Sequence, residues 1–469
     1  PDLLQDKVAG DRMKIIIVGG GVVGYSLAEQ LLKDKHHLSL IELDPRLCQT
    51  ISEKLDLQIL NGSGTSPALL KEAGLAGANM VLAVTPNDQV NMVVCAIAAQ
   101  YGVKRRIARL RSKEFAETSK LVDLEKLGIT SVIHPEEVLV DHILQFVQTP
   151  HAVESADFEG GNILMRGYRV TGKMELAHKT PSEIRQEIAP DVVLFSAIVR
   201  SGKGMIPYGD TTIEPGDILY SLFPRSSLER FLSLVGVQKK HSRKIIMTGD
   251  SYSTLELARA LDKTENHVTF VHPNLEQAQT AASMFDKVEV LHGDCTDPDL
   301  LSELNIDKAS FFIAASDGAD YNMLSALLAK AEGAHEVIVT TTESRHDKLF
   351  NSIGIDHVIN PRLTTAREIL EIISRGHIGA VVRLSDVDIE AVRFTVDPES
   401  SIAGSKIKKI ARKLKRGSIV GVIVREDNMI LPDGETVIEP NDHVIMITHD
   451  KNLPTISKLF KPRGASKRG

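Results

Sequence analysis

The sequence has 469 residues, 42% of them hydrophobic and 25% charged, an ordinary water-soluble composition with room for roughly two to four domains. Its net charge of −7, with both signs mixed, gives no basis for a nucleic-acid partner. Three isolated cysteines (Cys48, Cys95, Cys295) and scattered histidines without an HExxH motif point away from a zinc site and fit a reducing cytoplasm, and no apolar run approaches the roughly 20 residues of a membrane helix.

Residues 1–12 lack the basic start and apolar core of a secretory signal, so the fold is expected to begin at Met13. An apolar strand over 14–18 runs into "GGGVVG" and then into an amphipathic helix over 22–34. That context gives the G-x-G-x-x-G pattern of Gly19, Gly21 and Gly24 its meaning. The first glycine permits a tight turn, the second lets backbone approach a pyrophosphate, and the third lets helix and strand pack closely. The helix start then offers free N–H groups to the phosphates. The next strand, 38–42, ends in Glu42, where an acid accepts hydrogen bonds from ribose hydroxyls and disfavours a 2′-phosphate.

Helical segments over 66–74 and 88–101 flank a strand over 80–84, and another strand runs over 106–110. This alternation predicts a parallel sheet with helices on both faces, whose ligands bind at the carboxyl ends of the strands. Thr85, Asn87, Asp88 and Asn91 fall on that rim. Arg109 and Arg111 alternate with Ala108 and Leu110, which puts both guanidinium groups on one side. Such a pair suits a phosphate or a carboxylate; the plainer reading is two strand-end arginines in salt bridges. Beyond about residue 162 the texture changes. "NILMRGYRV" and "VVLFSAIVR" read as strands, "SEIRQEI" as a short helix and "IEPGD" as a turn, which together describe a small α+β lobe.

After a polar, basic link, "GVQKKHSR" (236–243), the chain repeats itself. "MKIIIVGG" (13–20) matches "RKIIMTGD" (243–250), and "AVTPNDQVNM" (83–92) matches "AASDGADYNM" (314–323). "GITSVIHPEE" (128–137) matches "GIDHVINPRL" (354–363), and the "IEPGD" turn at 213–217 matches "IEPND" at 438–442. The chain is therefore read as a tandem duplication of a unit of about 225 residues. The expected lobes are a Rossmann-like lobe over 13–148, a small α+β lobe over 149–236, a second Rossmann-like lobe over 243–375 and a second small lobe over 376–462. A short basic tail, 461–469, is expected to be a solvated, disordered end.

The second copy has lost the residues that carry the chemistry. Ser251 and Thr254 replace Gly21 and Gly24, and His272 replaces Glu42. Gly318 and Ala319 replace Asn87 and Asp88, and Thr340 and Thr342 replace Arg109 and Arg111. A Cβ at 251 would hinder approach of a phosphate, so binding at the second lobe is expected to be weak or absent, with His272 left for a structural role or for a different ligand.

"MKIIIVGGGVVG", "AVTPNDQVNM", "ARLRS", "HPEE" and the paired "IEPGD"/"IEPND" turns together resemble the TrkA family, the tandem-RCK (KTN) regulatory subunits of bacterial Trk potassium-uptake systems, over residues 13–462. The resemblance implies a non-enzymatic, cytoplasmic protein peripheral to the inner face of the cell membrane. It implies a homotetrameric ring beneath a membrane potassium-translocating partner. It also implies NAD(H) or ATP/ADP in the first Rossmann-like lobe, held by Gly19, Gly21, Gly24, Glu42, Thr85, Asp88, Arg109 and Arg111. The alternatives are an NAD-dependent oxidoreductase, which the glycine motif and Glu42 fit equally well, and an RCK subunit of another cation channel or antiporter.

Overall fold

The computed structural model describes residues 12–460, apart from 34, 113–114, 116–121, 188–192, 238–241, 343–352, 375–377, 385–386, 413, 415–416 and 427. The leading segment up to residue 11, the basic tail and the middle of the link lie outside the described residues. The chain forms two compact units. One combines residues up to 141 with 244–370, and the other combines 142–243 with the residues from 371 onward.

The first unit holds two copies of one sheet. In the first copy β1 (Lys14–Val18), β2 (His37–Glu42), β3 (Gln58–Asn61), β4 (Met80–Ala83), β5 (Arg105–Arg109) and β6 (Ser131–Ile133) lie in the order β3-β2-β1-β4-β5-β6, all parallel. Strands buried on both faces need near-continuous apolar runs, and "IIIV" in β1 and "MVLA" in β4 supply them at 0–1% exposure. Helices α1 (Val22–Lys33), α2 (Pro45–Ser52), α3 (Pro67–Glu72) and α4 (Asp88–Gln100) connect successive strands, and α5 (Pro135–Gln148) follows β6. α1 buries Val23, Leu27 and Leu31, one helical stripe. α2 and α3 each start at a proline behind a capping side chain, Asp44 and Ser66, which fixes where the chain leaves the strands. The strand order reverses between β1 and β4, so the crevice between their carboxyl ends is the place where such sheets bind ligands.

The second copy repeats the plan with β12 (Lys244–Thr248), β13 (His267–His272), β14 (Glu289–His292), β15 (Phe311–Ala314), β16 (Glu336–Thr340) and β17 (His357–Ile359), in the order β14-β13-β12-β15-β16-β17.

The second unit is antiparallel. β7 (Ala152–Phe158), β8 (Ile163–Arg169), β9 (Leu194–Arg200), β10 (Lys203–Met205) and β11 (Ile218–Pro224) form one five-stranded sheet, ordered β10-β9-β11-β8-β7. A second sheet, built from strands within 378–449, has the same plan. The two sheets share one core: Met165, Tyr220 and Leu222 pack with Ile389, Val422 and Ile445. The repeated turn has a structural explanation here. Arg200 makes two 2.8 Å bonds to Asp217, which is 1% exposed, and Arg425 makes the same fork to Asp442 at 2.9 Å. Each aspartate also accepts from the backbone N–H three residues earlier, of Glu214 and of Glu439. "IEPGD" and "IEPND" therefore anchor a turn to a strand.

Candidate functional site

The three glycines of the first copy's loop stand in different surroundings. Gly19 has φ +106°, and a Cβ on it would sit 3.0 Å from the backbone N of Thr85. A Cβ on Gly24 would lie 1.8 Å from the carbonyl oxygen of Gly19, so only glycine lets α1 pass this close to the loop. Gly21 differs, because nothing lies within 4 Å of the position its Cβ would take. The protein's own packing does not require glycine there; the missing side chain leaves room outside the fold. α1 begins directly after Gly21, and a helix start leaves its first N–H groups without intrahelical partners.

Glu42 is pre-set beside the loop. Its Oε2 accepts from the N–H of Gly20 at 2.5 Å and its Oε1 accepts from the N–H of Asp44 at 2.9 Å. Each carboxylate oxygen keeps a lone pair, so the acid can still accept from hydroxyl groups without changing its orientation.

The remaining residues expected at the rim lie where the sequence reading put them, at the ends of β4 and β5, but several are already occupied. Thr85 donates from Oγ1 to Asn91 Oδ1 at 2.7 Å. Asn91 is 0% exposed; its Oδ1 also accepts from the Thr85 N–H, and its Nδ2 donates to the carbonyls of Thr85 and Arg109. It ties the end of β4 to the end of β5. The Asp88 carboxylate accepts from the backbone N–H groups of Arg111 and Ser112 at 3.0 Å, so it holds the chain beyond β5 in place. Arg111 donates from Nε to Glu136 Oε1 at 2.8 Å, and this bond holds its guanidinium firmly charged. Arg109 is different: burial pulls its pKa down, and its Nε has no hydrogen-bond partner. Arg109 feels the charges of both Glu136 and Arg111, consistent with a shared side. Sequence reasoning missed Asn91 as the organiser and Glu136 as the ion-pair partner. Both were visible as letters, Asn91 in the "NM" common to both copies and Glu136 in "HPEE".

The second copy has closed its loop with its own side chains. Ser251 Oγ donates to the carbonyl of Ala315 at 2.8 Å, and Thr254 Oγ1 donates to the same oxygen at 2.6 Å. The two hydroxyls lie 2.8 Å apart, and Ser251 Oγ accepts from the Thr254 N–H, capping the helix Tyr252–Asp262. His272 takes over half of the work of Glu42: its Nδ1 accepts from the Asn274 N–H at 3.0 Å, as Glu42 accepts from Asp44. Burial lowers its pKa, and the neutral ring then carries its proton on Nε2, a donor where the first copy has acceptors. The Tyr321 hydroxyl bonds the Thr248 hydroxyl at 3.0 Å and accepts from the Cys295 N–H, tying the end of β12 to the segment after β14. Cys95 and Cys295 are buried, with thiols pushed up to about 12, and are inert packing groups. Asn322 repeats the Asn91 network onto Ser316 and Thr340, so the scaffold persists although the loop has changed.

Comparisons with known proteins agree with this duplicated plan. The TrkA-N domain matches residues 15–135 and again 245–361, and the TrkA-C domain matches 391–461. The chain is 30% identical over 455 residues to the Trk system potassium uptake protein TrkA of Azorhizobium caulinodans, covering 96% of this chain and 99% of that protein. It is also 30% identical over 456 residues to the Haemophilus influenzae protein of the same name, with the same coverage. Among solved structures, the GsuK RCK domain superposes with a TM-score of 0.59 at 17% identity, over 97% of this chain and 96% of that one. The GsuK channel bound to NAD gives a TM-score of 0.60 at 17% identity, over 97% and 80%.

Proposed function

The chain belongs to the TrkA family, and from that premise we propose that it is the nucleotide-sensing regulatory subunit of a membrane potassium-uptake system, with its ligand in the first Rossmann-like lobe. The observation that carries the reading is the contrast at one position. The space beside Gly21 is open, whereas the equivalent Ser251 is bonded into the loop. NAD(H) or ATP/ADP suits the open loop: phosphates on the N–H groups of α1, a ribose diol on Glu42, and Arg109 toward the charged end. Thr85 and Asp88 support this rim from behind through their bonds to Asn91 and to the 111–112 backbone.

No helix among the described residues is long and apolar enough to cross a membrane. The relatives' name as Trk-system proteins supports a partner of that type, with this chain as a homo-oligomeric ring on its cytoplasmic side. Regulation requires the nucleotide to favour one state of the ring over another, because equal affinity shifts nothing. A difference of about 1–3 kcal/mol is enough.

The test is potassium flux through liposomes that hold a Trk-type membrane protein with and without this chain. The reading expects flux that changes when ADP, ATP, NAD or NADH is added, and a response that Gly21→Val abolishes. Flux indifferent to this chain and to all four nucleotides would refute it.

A further inference from the structure

The two parallel sheets also differ at their amino ends, away from the glycine loops. In the second copy three cross-links close that end. Asp262, the last residue of the helix after β12, accepts from the backbone N–H groups of Asp286, Lys287 and Val288 at 2.7–3.3 Å. Lys244, the first residue of β12, donates from Nζ to the carbonyls of Leu304 and Asn305. Lys287 donates from Nζ to the carbonyl of Thr264 at 3.3 Å and to Glu265 at 3.0 Å.

The first copy makes none of these bonds among its described residues. Leu32 stands before β2 where Asp262 stands before β13, and it has no carboxylate to offer. Asp56 stands before β3 where Lys287 stands before β14, with the charge reversed. Lys14 begins β1 as Lys244 begins β12, yet its Nζ has no hydrogen bond or ion pair among the described residues. The same is true of the side chains of Asp56 and of Glu72, the last residue of α3. These elements leave a cleft of about 480 Å³ between them, walled by Lys14, Leu32, His36, His37, Asp56 and Glu72. Small-molecule sites commonly run from about 300 to 1,000 Å³.

The wall defines the chemistry of an occupant. It offers one ammonium and two carboxylates that no protein group neutralises. His36 Nδ1 accepts from the Met13 N–H at 3.2 Å, so its neutral ring carries the proton on Nε2, a second donor for an anionic group. No Phe, Tyr or Trp lines the cleft, so it has no platform for a nucleobase or a quaternary ammonium. Among the described residues no group of His, Cys, Asp and Glu is arranged to hold a metal ion. An organic cation that also bears one carboxylate matches both signs.

We propose that this cleft binds a basic amino acid, with its carboxylate on Lys14 and its two cationic groups on Asp56 and Glu72. The site lies at the opposite end of the sheet from Gly21 and is independent of nucleotide binding there. It gives the first lobe a second input, which the second lobe has lost to its three cross-links.

The test is calorimetric titration of the full chain with L-lysine and L-glutamate, in wild type, Asp56→Asn, Glu72→Gln, Leu32→Asp and Gly21→Val. Wild type is expected to bind L-lysine and to bind L-glutamate far more weakly. Asp56→Asn and Glu72→Gln should each weaken L-lysine by about fivefold, the upper worth of an exposed ion pair. Leu32→Asp installs the carboxylate of Asp262 and should abolish binding. Asp56 and Glu72 are exposed, so their variants keep the fold and decide the proposal even if Leu32→Asp does not fold. Gly21→Val should leave L-lysine affinity unchanged, whatever it does to nucleotides, so this proposal and the nucleotide reading fail separately. No binding of L-lysine, L-glutamate bound as tightly, or affinity indifferent to both carboxylate variants would overturn the proposal. Loss of L-lysine binding in Gly21→Val would also overturn it, by placing the ligand at the glycine loop.

Discussion

Ser251 Oγ lies 2.8 Å from the carbonyl oxygen of Ala315, and this bond occupies in the second lobe the ground that Gly21 leaves open in the first. One serine both caps its helix and closes its loop, which turns a ligand site into a structural joint. Ser251→Ala removes the cap and the bond together. It is expected to lower stability by about 1 kcal/mol, up to about 2, in urea denaturation, and to leave nucleotide affinity unchanged.

The Asn91 and Asn322 networks make a matched pair. Each asparagine is at most 1% exposed and ties two strand ends through four or more hydrogen bonds. Replacing either by leucine leaves buried backbone groups unpaired, and about 1–3 kcal/mol of stability should be lost in each case. Only Asn91→Leu should also weaken nucleotide binding, because only its network positions Arg109. Equal effects of the two variants on binding would disprove that division.

Glu42 offers a finer probe of the ligand. Glu42→Gln keeps the size of the side chain and removes the charge that accepts from Gly20, Asp44 and a ribose diol. Adenosine and NAD affinities should both fall by about tenfold or more in titration calorimetry, while inorganic phosphate is unaffected. An unchanged adenosine affinity would take Glu42 out of the site.

His272 gives the second lobe an acid-sensitive element. Burial lowers its folded-state pKa below the usual 6.5, so the folded state prefers the neutral ring more than the unfolded chain does. The contribution is fully present above 6.5 and is lost as pH falls from there through the folded pKa. Thermal unfolding between pH 7.5 and 5 should therefore show a decline in stability that is shallower in His272→Gln. Parallel curves for the two proteins would refute it.

Much of the fold was legible because it was written twice. Repeated apolar strands and a glycine loop in register define the parallel sheets, and the order of matched segments defines the duplication. The glycine loop was legible too: Gly19 and Gly24 each answer a steric demand of the fold, whereas the space beside Gly21 is open. The sequence could not tell which polar letters serve the ligand and which serve the frame. Asp88 and Thr85 read as ligand-facing because they stand at strand ends, yet their side chains bind neighbouring backbone and Asn91. The "IEPGD" stretch was legible as a turn, but its anchoring through Arg200 and Asp217 was not.

The central claim is that one loop of two holds the nucleotide, and it is tested most directly by thermal shift with NAD, NADH, ADP and ATP on wild type, Gly21→Val and Ser251→Val. A nucleotide at about 100 times its dissociation constant should stabilise the wild type by about 2.7 kcal/mol. The account predicts that Gly21→Val loses this shift and that Ser251→Val, despite a lower starting stability, keeps it. No shift with any of the four, or a shift that survives Gly21→Val, would contradict it.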